Sequence, residues 1–205
     1  MIDKNGTLLV ISAPSGTGKT TIVKQLMRQN KNIKASVSYT TRNMRPNETN
    51  GLDYVFVTEK IFESMIVQNM FLEFANVFGH YYGTPTKETL ETLGQGYTII
   101  LEIDWQGAEQ IRLERPDSIS IFLLPPSKEE LKKRLVRRAT DSSDQIELRF
   151  QEAIKDIEQC SYFDRVIVNN DVDSTCEEIM SCINKLDSSE PNVNQEALAV
   201  IRSFM

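Results

Sequence analysis

The chain has 205 residues, 40% of them hydrophobic and 25% charged, which is enough apolar material to bury a core as one domain. A net charge of −6 argues against a nucleic-acid surface, and a single histidine (His80) with three cysteines in no CxxC pair (Cys160, Cys176, Cys182) supports neither a zinc site nor a disulfide framework. The start Met1-Ile2-Asp3-Lys4-Asn5 lacks the basic and apolar regions of a signal peptide and no apolar stretch suits a bilayer, so a reduced, cytoplasmic protein without a membrane partner is expected.

The first predicted strand, Leu8-Leu9-Val10-Ile11, runs into Ala13-Pro14-Ser15-Gly16-Thr17-Gly18-Lys19-Thr20 and then a helix through Thr21, Ile22, Val23 and Leu26. Strand, glycine-rich loop and helix in this order form a phosphate-binding loop. The glycines let successive N–H groups turn inward on phosphate oxygens, and the helix N-terminus adds positive partial charge. Lys19 is expected on the β- and γ-phosphates and the Thr20 hydroxyl on a Mg²⁺ ion. The general pattern opens with glycine where Ala13 stands, and a left-handed backbone there would strain alanine.

A short strand is predicted at Ala35 to Ser38, followed by a polar stretch in which Arg42 and Arg45 offer two guanidinium forks suited to a phosphate. Asn50-Gly51 reads as a turn into a strand ending at Val57, with Tyr54 and Phe56 on one face. A helix with Phe62 and Met65 precedes a strand at Phe71-Leu72-Glu73-Phe74, where Glu73 is a carboxylate inside an aromatic run. In Gly79-His80-Tyr81-Tyr82-Gly83-Thr84-Pro85, Thr84 is expected to cap the next helix, with Pro85 in its first turn. The apolar run Tyr97 to Ile103 ends in Asp104 and reads as a central parallel strand whose carboxyl end faces a site. Ser118 to Leu124 is another buried strand, and Ser127 with Glu130 makes a capping box for a helix rich in Lys and Arg. A polar loop, Thr140 to Asp144, separates that helix from a second one bearing Arg149, a pair that suggests a lid. The strand Arg165 to Asn169 and a helix with Ile179, Ile183 and Leu186 follow. The apolar segment Ala197 to Phe204 leaves open whether it packs on the domain, pairs between subunits or stays loose.

The ordered blocks Ser38 to Arg42, Arg45, Gly51 to Tyr54, Phe71 to Glu73, Gly79 to Thr84, Ile103 to Gly107, Pro125-Pro126-Ser127 and Val166 to Asn169 resemble guanylate kinase, up to about Leu186. The resemblance implies that Arg42, Arg45, Tyr54 and Tyr82 hold the phosphate of GMP, that Ser38, Glu73, Thr84 and Asp104 read guanine, and that Asn169 contacts the adenine of ATP. It further implies that Arg134, Arg138 and Arg149 close over the transferring phosphates with Lys19 and Arg42, and that Mg²⁺ arrives with ATP on Thr20, with Asp104 reached through water. Glu102 stands where the family has Asp, and Ala139 where it has Gly. The chemistry agrees: an ionised Glu73 can accept both the N1–H and N2–H of guanine, whereas adenine has no proton on N1.

The expected fold is α/β, a mostly parallel P-loop sheet flanked by helices (core 1–37, 86–126 and 156–187), with a small β-rich GMP-binding subdomain at about 38–85 and a helical lid at about 127–155. Residues 188–205 form a tail or short helix, and the oligomeric state is open. The expected reaction is ATP plus GMP giving ADP plus GDP, with no nucleic acid or membrane involved. Two rivals are a GTP-hydrolysing switch, since Asp104-Trp105-Gln106-Gly107 fits D-x-x-G and Asn184-Lys185-Leu186-Asp187 fits N-K-x-D, and a non-catalytic guanylate-kinase-like scaffold. The N-K-x-D match falls on an amphipathic helix rather than in a loop after a strand, and the intact Gly18-Lys19-Thr20 argues against a scaffold.

Overall fold

Strand residues that alternate between two apolar faces set the layers of the molecule, a computed structural model that describes residues 6–136, 143–184 and 192–205. In β1 (Leu8–Ser12), Leu8 and Val10 enter one core while Leu9 and Ile11 enter the other. Neighbouring strands β7 (Thr98–Glu102), β8 (Ile119–Leu124), β9 (Arg165–Val168) and β2 (Ile33–Ala35) pair in parallel, in the order β2-β7-β1-β8-β9. Both faces of such a sheet must be covered, because every strand carries apolar side chains above and below it.

Helices α1 (Lys19–Gln29) and α7 (Val172–Asn184) cover one face through Ile22, Val23, Leu26, Cys176 and Ile179. The opposite face takes α3 (Thr86–Gly94), α4 (Trp105–Glu114), α5 (Lys128–Val136), α6 (Ser143–Glu158) and α8 (Gln195–Phe204). The question left open for the C-terminal segment is answered by α8: Asn194 caps it, and Ala197, Ile201 and Phe204 are buried in the core.

A second sheet of four strands, in the order β4-β3-β6-β5, is built from β3 (Tyr39–Thr40), β4 (Val55–Phe56), β5 (Phe71–Val77) and β6 (His80–Pro85). Helix α2 (Glu59–Val67) lays Phe62 against Phe71 and Tyr81, at 4.5 and 5.3 Å between ring centroids.

Several expectations shift. Thr84 is not a helix cap: it lies within β6, opposite Glu73, and Pro85 is the residue preceding α3. The strand expected at Phe71 to Phe74 continues to Val77, because the following tyrosine segment is its hairpin partner rather than a turn. The strand expected at Ala35 to Ser38 ends at Ala35. Ser127 does cap α5, its Oγ accepting from the Glu130 N–H at 3.1 Å. Asn184 ends α7, so the first residue of the N-K-x-D match is helical, and the rest lies outside the described residues. Among the described residues no helix is long and apolar enough to cross a membrane.

Candidate active site

Parallel strands leave their carboxyl ends free of the helices that follow, and here those ends meet the second sheet. A cavity of about 300 Å³ lies between them. From the first loop it is lined by Ala13, Pro14, Ser15, Gly16, Gly18, Lys19, Thr20 and Thr21. Ser38, Arg42, Arg45, Tyr54, Glu73 and Tyr82 line it from the second sheet and its loops, Glu102 and Asp104 from the end of β7, and Arg149 from α6. Segments far apart in sequence are thus brought to one space.

The loop takes the shape its glycines allow. Gly16 and Gly18 have φ of 92° and 102°, and Gly18 starts α1 with its carbonyl accepting from Thr21 and Ile22. Ala13 is not left-handed, so alanine fits that position without strain. Lys19 Nζ donates to the Ile103 carbonyl at 2.9 Å, and Thr20 Oγ1 donates to Glu102 Oε1 at 2.5 Å. The longer carboxylate of Glu102 therefore reaches the Thr20 hydroxyl directly. Beneath the loop, the Thr17 carbonyl accepts from Arg134 Nη1 at 2.9 Å and from Asn169 Nδ2 at 2.7 Å. Asn169 is buried and its Oδ1 accepts from Thr175 of α7, so its amide ties the loop to that helix rather than lining the cavity. Arg134 is likewise held by Glu130 at 2.8 Å. Arg138 lies outside the described residues.

The second sheet supplies a buried carboxylate and an arginine cluster. Glu73 is 3% exposed, and Thr84 Oγ1 donates to its Oε1 at 2.5 Å. Burial pushes its carboxyl up to about 7, opposed by the Thr84 hydroxyl and reinforced by the charge of Asp104. Arg42 donates from Nη1 and Nη2 to the two oxygens of Glu48, at 3.0 and 2.7 Å, with its guanidinium 5.4 Å from the Tyr54 ring centroid. Burial works against the Arg42 charge, but Glu48 and Tyr82 outweigh it and raise its pKa. Burial likewise drives the Tyr54 phenol above its usual range, with the charge of Glu102 adding to the effect.

Four contributors carry no site role in the sequence reading. Glu48 holds Arg42 and also accepts from the Arg45 backbone N–H at 2.8 Å; a carboxylate within the same loop as two arginines was the available signal. Gly107 on α4 faces Glu73 so closely that a Cβ there would collide with its carboxylate. Gln110, one turn on, brackets the peptide groups of Phe74: its Oε1 accepts from the N–H at 3.2 Å and its Nε2 donates to the carbonyl at 2.8 Å. The spacing of Asp104, Gly107 and Gln110 on one face of a helix was legible; its target on a distant strand was not. Asp156, on the inner side of α6, lines the cavity and is pushed up to about 7 by burial and then by the charge of Asp104, against the pull of Lys19 and a hydrogen bond from Trp105. Asp104 itself caps α4, its Oδ1 accepting from the Gly107 N–H at 3.0 Å.

The family model for guanylate kinase matches residues 5–186. The chain is 46% identical over 185 residues to a guanylate kinase of Wolbachia pipientis wMel, covering 90% of this chain and 92% of that one. It is 45% identical to one of Clostridioides difficile (strain 630), over 100% of this chain and 98% of the relative. A crystal structure of guanylate kinase from Anaplasma phagocytophilum superimposes with a TM-score of 0.75 at 31% identity, over 98% of this chain and 96% of that one. With one fold, one loop and one buried carboxylate accounted for along nearly its whole length, the chain belongs to the guanylate kinase family.

Proposed function

We propose that this chain transfers the γ-phosphoryl group of ATP to GMP, giving ADP and GDP, and that the residues gathered around the cavity carry the reaction. The observation that carries the reading is the sharing of one cavity by Lys19 and the buried Glu73. A phosphate loop alone suits any nucleotide triphosphate, but a desolvated carboxylate facing the same space suits a ligand edge with two adjacent N–H donors.

In this reading the ionised Glu73 accepts from guanine N1–H and N2–H, with Ser38 and Asp104 completing the base contacts. Thr84 acts from behind, through its hydrogen bond to Glu73. Arg42, Arg45, Tyr54 and Tyr82 take the GMP phosphate, and Glu48 keeps Arg42 extended toward it until the ligand arrives. The phosphate loop from Ala13 to Thr21 wraps the phosphates of ATP, with Thr17 held from below by Asn169 and Arg134. Arg149 and Arg138 supply charge from the lid as the segments at about 127–155 and 38–85 approach the core. No general base is needed, since the second pKa of a phosphate monoester is about 6 and the attacking oxygen is already ionised near neutral pH. Alignment of two polyanions and neutralisation of their charge do the work.

Hard oxygen donors at Thr20, Glu102 and Asp104 suit Mg²⁺, and no cluster of three or more His, Cys, Asp or Glu able to hold a metal occurs among the described residues. The ion would therefore come with the ATP phosphates, with Thr20 as a direct ligand and the two carboxylates reached through water; bound there, it neutralises phosphate charge. The test is ADP formation from ATP and Mg²⁺ with and without GMP, for the native chain and for Lys19→Ala. GMP-dependent ADP that the substitution lowers by roughly 10²-fold or more supports the reading. ADP formed without GMP would favour a hydrolase, and none under either condition would leave only a binding module.

A further inference from the structure

The β5–β6 hairpin turns on an unusual pair. Val77 pairs with His80, so Phe78 and Gly79 form a two-residue loop, and both have positive φ, 53° and 79°. Two-residue hairpins with positive φ at both central positions favour Asn-Gly or Asp-Gly, because short polar side chains tolerate the left-handed backbone and a bulky ring does not. The rest of the turn is well made: Asn76 Oδ1 accepts from the Gly79 N–H at 3.1 Å. Phe78 gains little from core packing in return for its backbone, since its side chain is 53% exposed. What it does reach is the nucleotide cavity.

Strand alternation explains how. Glu73, Ala75 and Val77 project from one face of β5, all three line the cavity, and Phe78 extends that apolar strip beyond the carboxylate. Arg149 and Asp156 of α6 line the same cavity, and Leu148, next to Arg149, is a large apolar side chain left 55% exposed. Strained residues persist where function holds them, and this half-exposed ring lines the cavity just beyond the strip that carries Glu73.

We propose that Phe78 is the apolar lip of the cavity, a positioning residue that closes against α6 and keeps water from competing with GMP for the γ-phosphoryl group. The proposal rests on the kinase reading above. The step it suppresses is hydrolysis: a water oxygen bonds to the γ-phosphorus while the bond to the bridging oxygen breaks, ADP leaves with the electron pair, and the water proton passes to solvent.

The experiment compares the native chain, Phe78→Asn and Phe78→Leu for melting temperature and for ADP and GDP formed from ATP, Mg²⁺ and GMP. Phe78→Asn gives the turn its favoured Asn-Gly pair, so it should melt higher, by about 2–4 °C, while GDP formation slows about tenfold and ADP exceeds GDP. Phe78→Leu, apolar but still strained, should restore equal ADP and GDP without the rise in melting temperature. Equal ADP and GDP from Phe78→Asn, at either native or reduced rate, would overturn the proposal, as would a lower melting temperature, which would remove the strain argument. A native chain that makes no GDP at all would instead sink the kinase reading itself.

Discussion

Replacing Glu73 with Gln should make the ligand-free protein more stable at alkaline pH while removing its hold on GMP. The carboxyl is 3% exposed and its pKa stands at about 7 against an ordinary 4.5. Between those two values the folded chain binds more protons than the unfolded one, so the contribution of this group to stability is lost as pH rises through the window. At about 1.4 kcal/mol per pKa unit, keeping Glu73 ionised in the folded chain costs about 3 kcal/mol above neutral pH. Gln carries no such cost. Between about pH 5.5 and about pH 8.5 the stability of Glu73→Gln relative to the native chain should rise by about 2 kcal/mol, or about 5 °C in melting temperature for a chain of this length. Asp156 titrates in both proteins and cancels in the difference. The same substitution turns one acceptor toward guanine into a donor facing a donor, so KM for GMP should rise by about 10²-fold or more. Thermal melts at the two pH values and acceptor titrations at fixed ATP read both effects. A stability difference that does not change with pH would refute the desolvated carboxyl, and an unchanged KM for GMP would refute its role on guanine.

Other outcomes follow from the same contacts. In the native chain KM for GMP should rise about tenfold per unit as pH falls below about 7, because the acceptor form of Glu73 is lost; in Glu73→Gln that rise should flatten to what Asp156 and the substrate phosphate, with its pKa of about 6, contribute in both proteins. Gly107→Ala should push a methyl group into the Glu73 carboxylate and lower both melting temperature and GMP affinity, measured by thermal denaturation and initial rates. Gln110→Ala releases both peptide groups of Phe74, and KM for GMP should rise about three- to tenfold with KM for ATP unchanged. Phe204→Ala should cost about 3–5 kcal/mol of stability in denaturant titrations, with neither KM altered, because the ring is buried in the core far along the chain from the site.

How much of this was legible in the sequence depended on how local the cause was. The phosphate loop was readable because strand, glycines, Lys19 and Thr20 act within one short segment, and the buried strands because apolar runs such as Ile119 to Leu124 have few other uses. The ordered motifs then pointed to the family and its cavity residues. Thr84 was misread as a cap because Thr-Pro before a helix carries that signal locally, whereas its hydroxyl answers to a carboxylate on the neighbouring strand. The bracing of Thr17 by Asn169 and Arg134, the Arg42–Glu48 pair and the Gln110 bracket depend on tertiary neighbours that no periodicity encodes. Phe78 was hidden for a related reason: Phe-Gly is a weak turn signal, and only the register of β5 and β6 reveals the left-handed backbone.

The decisive comparison is kcat/KM for GMP against AMP, CMP and UMP at about pH 8, with ADP and the nucleoside diphosphate both quantified. A preference for GMP over AMP of about 10⁴-fold, as hydrogen-bonded selection by a buried carboxylate requires, is the result expected. Comparable turnover of GMP and AMP would contradict it, and would mean that the cavity beside Lys19 does not read the guanine edge.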